Sequence, residues 1–475
     1  MDRPSSSRAL PSLITLLGDS MNEQLLTRQS LKAFAESQRT TFEKELKTLV
    51  EIPSISADPT KDQDIQRCAQ AAKSLFERYG GHAEILDTPG NPLIHGWFSK
   101  DFDKTITVYN HMDVQPANEP EWTAEPFEFT IEGDTYRGRG STDDKGPALS
   151  AFFGAVAAHR AGVPINMHFL WELEEEIGSP NFEKGLKKHK DKLKTDAIVV
   201  SDTVWITRGK PSTPAGLRGL KGFRLTLETA DHDLHSGVVG GAARNPISEL
   251  ITLVGQMVDG NTGRVLIPGF YDEVIPPSAE ELEGWRVSGF TTETFMKDHQ
   301  LKGIRTQNPV EILTSVWGMP TMEVHGVVGG YTGPGIKSSV APRAEIKLSC
   351  RLVPAMDEST TMARIHAFVK SKNPDVVIHE EHGLAPFKGH VAGPYAQAIR
   401  EAYQFAFGET CVFTREGGSI GAVKTMEDVL GSEVYFLGLS LPSHGYHAPN
   451  ENYDWEQAGG GMAAFAHYFE TVSKM

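Results

Sequence analysis

Five short strings in this 475-residue chain carry side chains able to hold cations and move protons. They are His111-Met112-Asp113, Thr142-Asp143-Asp144-Lys145-Gly146, Glu175-Glu176, Ser201-Asp202 and His447-Ala448-Pro449-Asn450-Glu451. Imidazole and carboxylate donors without thiolates suit zinc, with manganese and cobalt also compatible. If the strings meet, Asp113, Asp143, Glu175, Glu176 and Asp202 repel one another and hold protons at neutral pH unless cations intervene. With Asp143, Glu176 and Asp202 as ligands, their negative charges plus one hydroxide balance two divalent ions. The chemistry such a cluster supports is metal-assisted hydrolysis.

Each string alone has a plainer reading. A His-x-Asp after a strand is more often a hydrogen-bonded pair, and Asp202 alone reads as a turn cap. The run 172–176 reads as a solvated acidic face, the role expected here of Glu172 and Glu174. His444 and His447 share one loop, and position does not choose between them. The joint occurrence of all five strings argues for a site.

The elements that must position them are visible in the hydrophobic pattern. The segments 105–108, 167–171, 197–200 and 434–437 are apolar on both faces and alternate with helical stretches, which predicts an α/β domain with a largely parallel sheet. His111, Glu175, Glu176, Asp202 and His447 each follow one of these strands within a few residues, where open α/β sheets bind ligands. Asp143 precedes a helical run over 148–159, so its carboxylate lies near a helix N-terminus.

A chain of this length exceeds one hydrophobic core, and two domains are expected. Turn-forming residues cluster at 208–216 and 386–394, which read as two crossings of one boundary. Between them, 223–228 and 344–352 are apolar on one face only, as in antiparallel strands with one wet face. Two helices are expected on the dry face, one capped by Asn245 with Pro246 at its first position, the other over 360–369. The organisation is then a catalytic domain of residues 1–210 and 386–475, with an N-terminal extension over 1–30, and an inserted α+β domain of residues 211–385.

The net charge of −16 disfavours nucleic acid and anionic membrane as partners. Cys68, Cys350 and Cys411 are too widely spaced for a disulfide framework or a thiolate zinc site. The apolar stretch near Leu13 to Leu17 is too short for a signal or a membrane span, and a cytoplasmic location is expected. Gly138-x-Gly140 fits neither a dinucleotide fingerprint nor a P-loop, which excludes a nucleotide site there.

In this order the motifs resemble the M20 family of metallopeptidases, in particular its cytosolic nonspecific and carnosine dipeptidase branch. His111-Met112-Asp113-Val114-Gln115-Pro116 is similar to the family's first ligand motif, the run from Gly138 to Pro147 to its second, and Glu175-Glu176-Ile177-Gly178-Ser179 to its third. The resemblance implies a zinc-exopeptidase-like fold with a lid and dimerisation insert. It implies two divalent ions bridged by Asp143, with His111 and Asp202 on one and Glu176 and His447 on the other; the family pattern thus selects His447 over His444. Glu175 becomes the general base, taking a proton from the bridging water and delivering it to the leaving amine, and Asp113 orients His111. A cis peptide between Asp143 and Asp144 is also implied.

The same resemblance extends to the insert. Asp233-Leu234-His235-Ser236-Gly237 is similar to the lid motif whose histidine polarises the scissile carbonyl of the neighbouring subunit, so a homodimer is implied. His232 is expected to be structural. Arg351, by default a solvated rung, becomes a binder of the substrate carboxylate, a task its planar fork suits. Gly418 and Ser419 belong to a glycine loop whose amides cradle the substrate near that carboxylate. His382 matches a further lid histidine, and Ser338 lies in a loop with one extra residue where relatives place another substrate contact. Aspartate at position 202 favours dipeptidases. The expected activity is hydrolysis of dipeptides and other short unblocked peptides. The alternatives are an N-acyl-amino-acid amidohydrolase on the same scaffold, a carboxypeptidase acting on longer chains, and a non-catalytic metal-dependent binding protein.

Overall fold

Two kinds of strand in the sequence become two sheets of different character. The computed structural model describes residues 26–418 and 420–475, and of Glu280 and His382 it describes the backbone alone. The N-terminal part runs through helices Arg28–Val50 (α1) and Asp62–Arg78 (α2), strands His82–Leu86 (β1), Leu93–Trp97 (β2) and Thr105–His111 (β3), helix Gly146–Arg160 (α3), and strands Asn166–Glu172 (β4) and Ala197–Val200 (β5). The middle of the chain contributes strand Gly219–Glu228 (β6), helix Pro246–Met257 (α4), strands Thr321–Val328 (β7) and Arg343–Leu352 (β8), helix Glu358–Lys372 (α5) and strand Val377–Leu384 (β9). The chain returns through helix Pro394–Phe407 (α6), strand Glu433–Phe436 (β10) and helix Trp455–Ser473 (α7).

The first sheet has the order β1-β2-β4-β3-β5-β10. Its four strands from β4 to β10 are parallel, and β1 and β2 form an antiparallel edge. Every residue of β4 and β5 is buried, as strands covered on both faces require. Phe76 of α2 packs edge-on to Phe152 of α3 and meets Trp171 of β4, with ring centroids 5.0 Å apart in both pairs. Such offset aromatic contacts favour one arrangement of helix against sheet.

The second sheet, β7-β8-β6-β9, is antiparallel throughout. Residues 219–227 of β6 alternate between buried and half-buried, and Glu228 at its end is exposed. Phe223, Leu225 and Leu227 of β6 join Ile346 and Leu348 of β8 under Leu250 and Leu253 of α4 and Ile365 of α5. Helix α4 begins as its sequence predicts: Asn245 accepts from Ile247 N and Ser248 N, with Pro246 at the first helical position. The second expected helix is longer than 360–369, because Asp357 caps it by accepting from Thr360 N.

The turn-forming clusters behave differently from the sequence reading. Ser212–Leu217 is a strand, paired antiparallel with Phe387–Lys388 and parallel with Val412–Glu416. The two crossings are therefore knitted into one small sheet. Glycine permits this: a Cβ on Gly216 would lie 2.9 Å from the Phe387 carbonyl oxygen, and one on Gly389 would lie 2.8 Å from that of Pro214. The segment between α4 and β7 also packs back across the boundary, with Trp285 and Leu313 against Ile206 and Glu281 paired with Arg415 at 2.8 Å.

Candidate metal centre and active site

The candidate ligands converge at the carboxyl ends of the central strands. His111 ends β3 and is fully buried. Its Nε2 lies 2.9 Å from Asp143 Oδ1 and 3.8 Å from Asp202 Oδ2, while its Nδ1 lies 3.1 Å from the Asp113 carbonyl oxygen. Donation from Nδ1–H to that carbonyl leaves Nε2 as the electron-pair donor of the neutral ring, the tautomer a metal ligand needs. On the other side of Asp143, His447 Nε2 stands 3.1 Å from Oδ2 and 3.2 Å from Glu176 Oε2. Asp143 thus faces an imidazole through each of its oxygens. The Asp143–Asp144 peptide is cis.

Ligand atoms of His111, Asp143 and Glu176 lie within 4.8 Å of one another, as do those of His111, Asp144 and Asp202. The electrostatics favour a cation at both places. Burial raises the carboxyl of Asp202 to about 7, beside Asp143 and Glu176. Burial and the Asp143 charge raise Glu176 as well. His447 is pushed up to about 11 by its contacts with Asp143 and Glu176. Burial alone would lower His111, but Asp113, Asp143 and Asp202 outweigh it and raise it well above the usual imidazole range. Protonated imidazoles here supply the positive charge that divalent ions would bring, so the donor set fits a pair of such ions.

Neighbouring groups hold the donors in place. Asp113 accepts from Glu175 N at 3.2 Å and from Glu176 N at 3.0 Å, tying the His111 loop to the acidic turn. Gln115 donates to Glu176 through its backbone N at 3.1 Å and its side chain at 2.7 Å. Tyr446 donates to Asp202 at 3.2 Å. Glu175 belongs to neither ligand group, and burial raises its carboxyl well above the ordinary range, with the charges of Asp202, Glu176 and Asp113 adding to the shift.

His444 is sealed away from this cluster. It accepts from Leu441 N and meets Thr142 through Nδ1, and it reaches Asp454 through Nε2 at 3.0 Å. The expectation that Glu172 and Glu174 form a solvated face is corrected: both are buried. Glu172 accepts from Tyr109 Oη at 2.7 Å, and Glu174 from Asn91 N and Asn181 N at 2.8 and 3.2 Å. Those donors offset the desolvation of two carboxyl groups that sequence alone assigns to solvent.

The insert residues are sparser. His235 is exposed, on a two-residue ribbon paired with Ser339–Val340, and its Nδ1 accepts from Gly237 N at 3.0 Å. That bond leaves Nε2–H as the outward donor. Ser338 is exposed and its carbonyl accepts from Ser236 N. Arg351 pairs with Thr321 across the β7–β8 ladder and is half-buried. Arg218 donates from Nε to the Gly417 carbonyl at 3.1 Å, supporting the loop that carries exposed Gly418. Ser419 lies outside the described residues, and His382 is described only as a position in β9. Gln115, Tyr446 and Arg218 went without a role in the sequence reading, since their partners lie far away along the chain.

The model of peptidase family M20/M25/M40 matches residues 107–471. The chain belongs to this family. Among M20 relatives it is similar to the human Beta-Ala-His dipeptidase, 30% identical over 91% of this chain and 90% of that one. It is equally similar to the Cys-Gly metallodipeptidase of Schizosaccharomyces pombe, 30% identical over 93% of this chain and 97% of that one. The solved M20 structure of the dipeptidase Dug1p from Saccharomyces cerevisiae superposes with a TM-score of 0.84 at 28% identity, over 95% of this chain and 100% of that one. An M20 metallo-carboxypeptidase from Sulfolobus solfataricus gives 0.83 at 29% identity, over 92% of this chain and 99% of that one. This M20 member has the mixed α/β fold with a mostly parallel central sheet and a cluster of residues with metal-ligand geometry.

Proposed function

We propose that the protein is a two-metal dipeptidase that hydrolyses dipeptides and other short unblocked peptides. The observation that carries this reading is Asp143 standing between the imidazoles of His111 and His447, with Glu175 a member of neither ligand group. His111 and Asp202 would hold one ion, Glu176 and His447 the other, and Asp143 both. When bound, two divalent ions, zinc foremost, supply Lewis-acid polarisation of the scissile carbonyl and acidify water.

The remaining steps belong to the chain's own side chains. Glu175 takes a proton from the attacking water and returns it to the leaving amine. Burial makes its carboxylate a stronger base than a solvated one. Asp113 holds both the His111 ring and the turn that carries Glu175, so the base and the metal ligands keep one spacing. His235 donates Nε2–H to the carbonyl oxygen of a substrate bound in the neighbouring subunit, which makes the homodimer the working unit. Arg351 takes the substrate's terminal carboxylate in its planar fork. Gly418 and Ser419 border that carboxylate, and His382 and Ser338 complete the lid side. Residues 211–385 act as the lid and dimerisation unit on the catalytic domain. We place the enzyme in the cytoplasm, a reducing compartment suited to its three free, buried cysteines.

The test is hydrolysis of a dipeptide panel and of matching N-acetylated amino acids by metal-stripped protein with zinc, manganese or cobalt restored. Cleavage confined to free dipeptides is expected. Cleavage confined to acetylated compounds selects the amidohydrolase, and silence on both removes the catalytic reading. The fold likeness to a metallo-carboxypeptidase supports a second reading, action on longer chains, which blocked tripeptides added to the panel would reveal.

A further inference from the structure

Glu451 is fully buried four residues after His447, and its carboxylate sits in the turn that leads to Asp143. Oε1 accepts from Thr142 N at 2.9 Å and from Asp143 N at 3.0 Å. Oε2 accepts from Gly140 N and from Arg139 Nη1, both at 2.9 Å. Inward-turned amides of this kind form an anion-binding nest. Gly140 makes it possible, with φ at +85° and a Cβ position only 2.6 Å from Val114 Cγ1. Here the nest is filled by the chain's own glutamate.

Arg139 is as buried as its partner, spans to the Pro116 carbonyl at 3.3 Å and lies over the Trp122 ring at 5.2 Å. A buried ion pair is a weak source of stability, because an apolar pair of similar volume often does as well. What this pair adds is geometry. Its charges cancel, so it leaves the net charge of the acidic cluster unchanged while fixing the backbone of Asp143 from behind. The neighbouring Asn450 side chain accepts from Thr123 N at 2.8 Å and pins the same loop from outside.

We propose that Glu451, backed by Arg139, is a positioning residue that locks the Asp143 turn and the His447 loop in one register, so that metal ligands from both are set before an ion arrives. The inference rests on the two-metal reading above. Residues that orient ligands from behind commonly change metal affinity about 10- to 100-fold.

Full-length Glu451→Gln, Glu451→Asp and Arg139→Gln proteins are loaded with zinc and titrated against a chromophoric chelator. Thermal unfolding of the metal-free forms and dipeptide kcat and KM at saturating zinc accompany the titration. Glutamine places an amide donor against the nest, so Glu451→Gln is expected to lose about 10- to 100-fold in zinc affinity with KM little changed. Arg139→Gln is expected to lose less, and Glu451→Asp to recover part of the loss. Zinc affinity in Glu451→Gln equal to the parent's overturns the inference, whatever its thermal midpoint. If Glu451→Gln does not fold, Arg139→Gln decides: weakened zinc binding supports the role and unchanged binding overturns it. A parent chain that takes up no zinc fails the two-metal reading instead.

Discussion

His111 and His235 are both imidazoles assigned to one reaction, yet they stand in opposite surroundings. His111 is fully buried, with neighbours on both ring nitrogens drawn from two loops. His235 is exposed, on a two-residue ribbon, and its hydrogen bond goes to the backbone two residues on. The contrast extends to their regions. Around the candidate metal centre Glu176 is held by Gln115 and by Asp113, and Asp202 by Tyr446, each from another segment of the chain, while His447 is exposed and reaches inward to Asp143 and Glu176. Between residues 211 and 385, His235 stands exposed on its two-residue ribbon and Arg351 half-buried on the antiparallel sheet. On the proposed reading, such a site separates the power to activate water from the power to select and orient a peptide.

The largest expected effect tests the candidate metal centre. Glu175→Gln keeps the shape and removes the base, and kcat should fall about 10³-fold with metal content unchanged. Loss of metal in that variant, measured by elemental analysis, would move Glu175 from base to ligand and dissolve the distinction drawn above.

The two sheets can next be separated by stability. Leu348→Ala opens a cavity between β8 and the insert helices and should cost about 2 to 5 kcal/mol, read from urea unfolding. If the insert is the more independent unit, zinc affinity in this variant stays at the parent's value. A parallel loss of zinc affinity would show the two regions to be one cooperative whole.

His235→Ala should lower kcat about 10²-fold and leave metal affinity alone. Mixing it with Glu175→Gln sharpens the test, because a mixed dimer has one site with an intact base and an intact partner histidine. Equal mixing with free subunit exchange should restore about a quarter of the parent activity. No recovery after verified exchange would confine His235 to its own subunit.

The smallest expected effect lies at the sheet edge away from the ligands. His95 of β2 and His168 of β4 are buried with ring nitrogens 3.3 Å apart. Burial lowers them to about 4 and about 3, outweighing the pull of Glu84 on His95, with Lys100 lowering both and Lys192 lowering His95 further. The unfolded chain takes up protons near the ordinary imidazole value of 6.5 that the folded chain refuses, so stability is full above that pH. It declines as pH falls toward 4 and then 3. His168→Phe should flatten the urea midpoint over this window relative to the parent. A variant whose midpoint falls just as steeply would show that the pair does not titrate as described.

Much of this was legible in the sequence because it rests on local pattern. Strands apolar on both faces announced the parallel sheet, Asn245 with Pro246 announced a helix start, and the five polar strings followed strand ends. The burial of Glu172 and Glu174 was not legible, since an acidic run reads as surface until Tyr109, Asn91 and Asn181 are seen to supply donors. The choice between His444 and His447 needed either the family pattern or the fold. Gln115, Tyr446 and Glu451 act through residues remote in the chain, and no periodicity records such contacts. The strand over Ser212–Leu217 was hidden by composition, because glycine and proline there serve close backbone approach as well as turning.

That small sheet bears on how the family can be recombined. Ser212–Leu217 pairs on one side with Phe387–Lys388 and on the other with Val412–Glu416, the strand that leads into Gly417 and Gly418. A chimera that borrows its insert from a relative also borrows the middle strand of this ribbon. Junctions placed before Pro211 and after Gly389 transplant that strand together with its antiparallel mate, and leave the seam to Val412–Glu416, the packing of Trp285 and Leu313 on Ile206 and the Glu281–Arg415 pair to be matched.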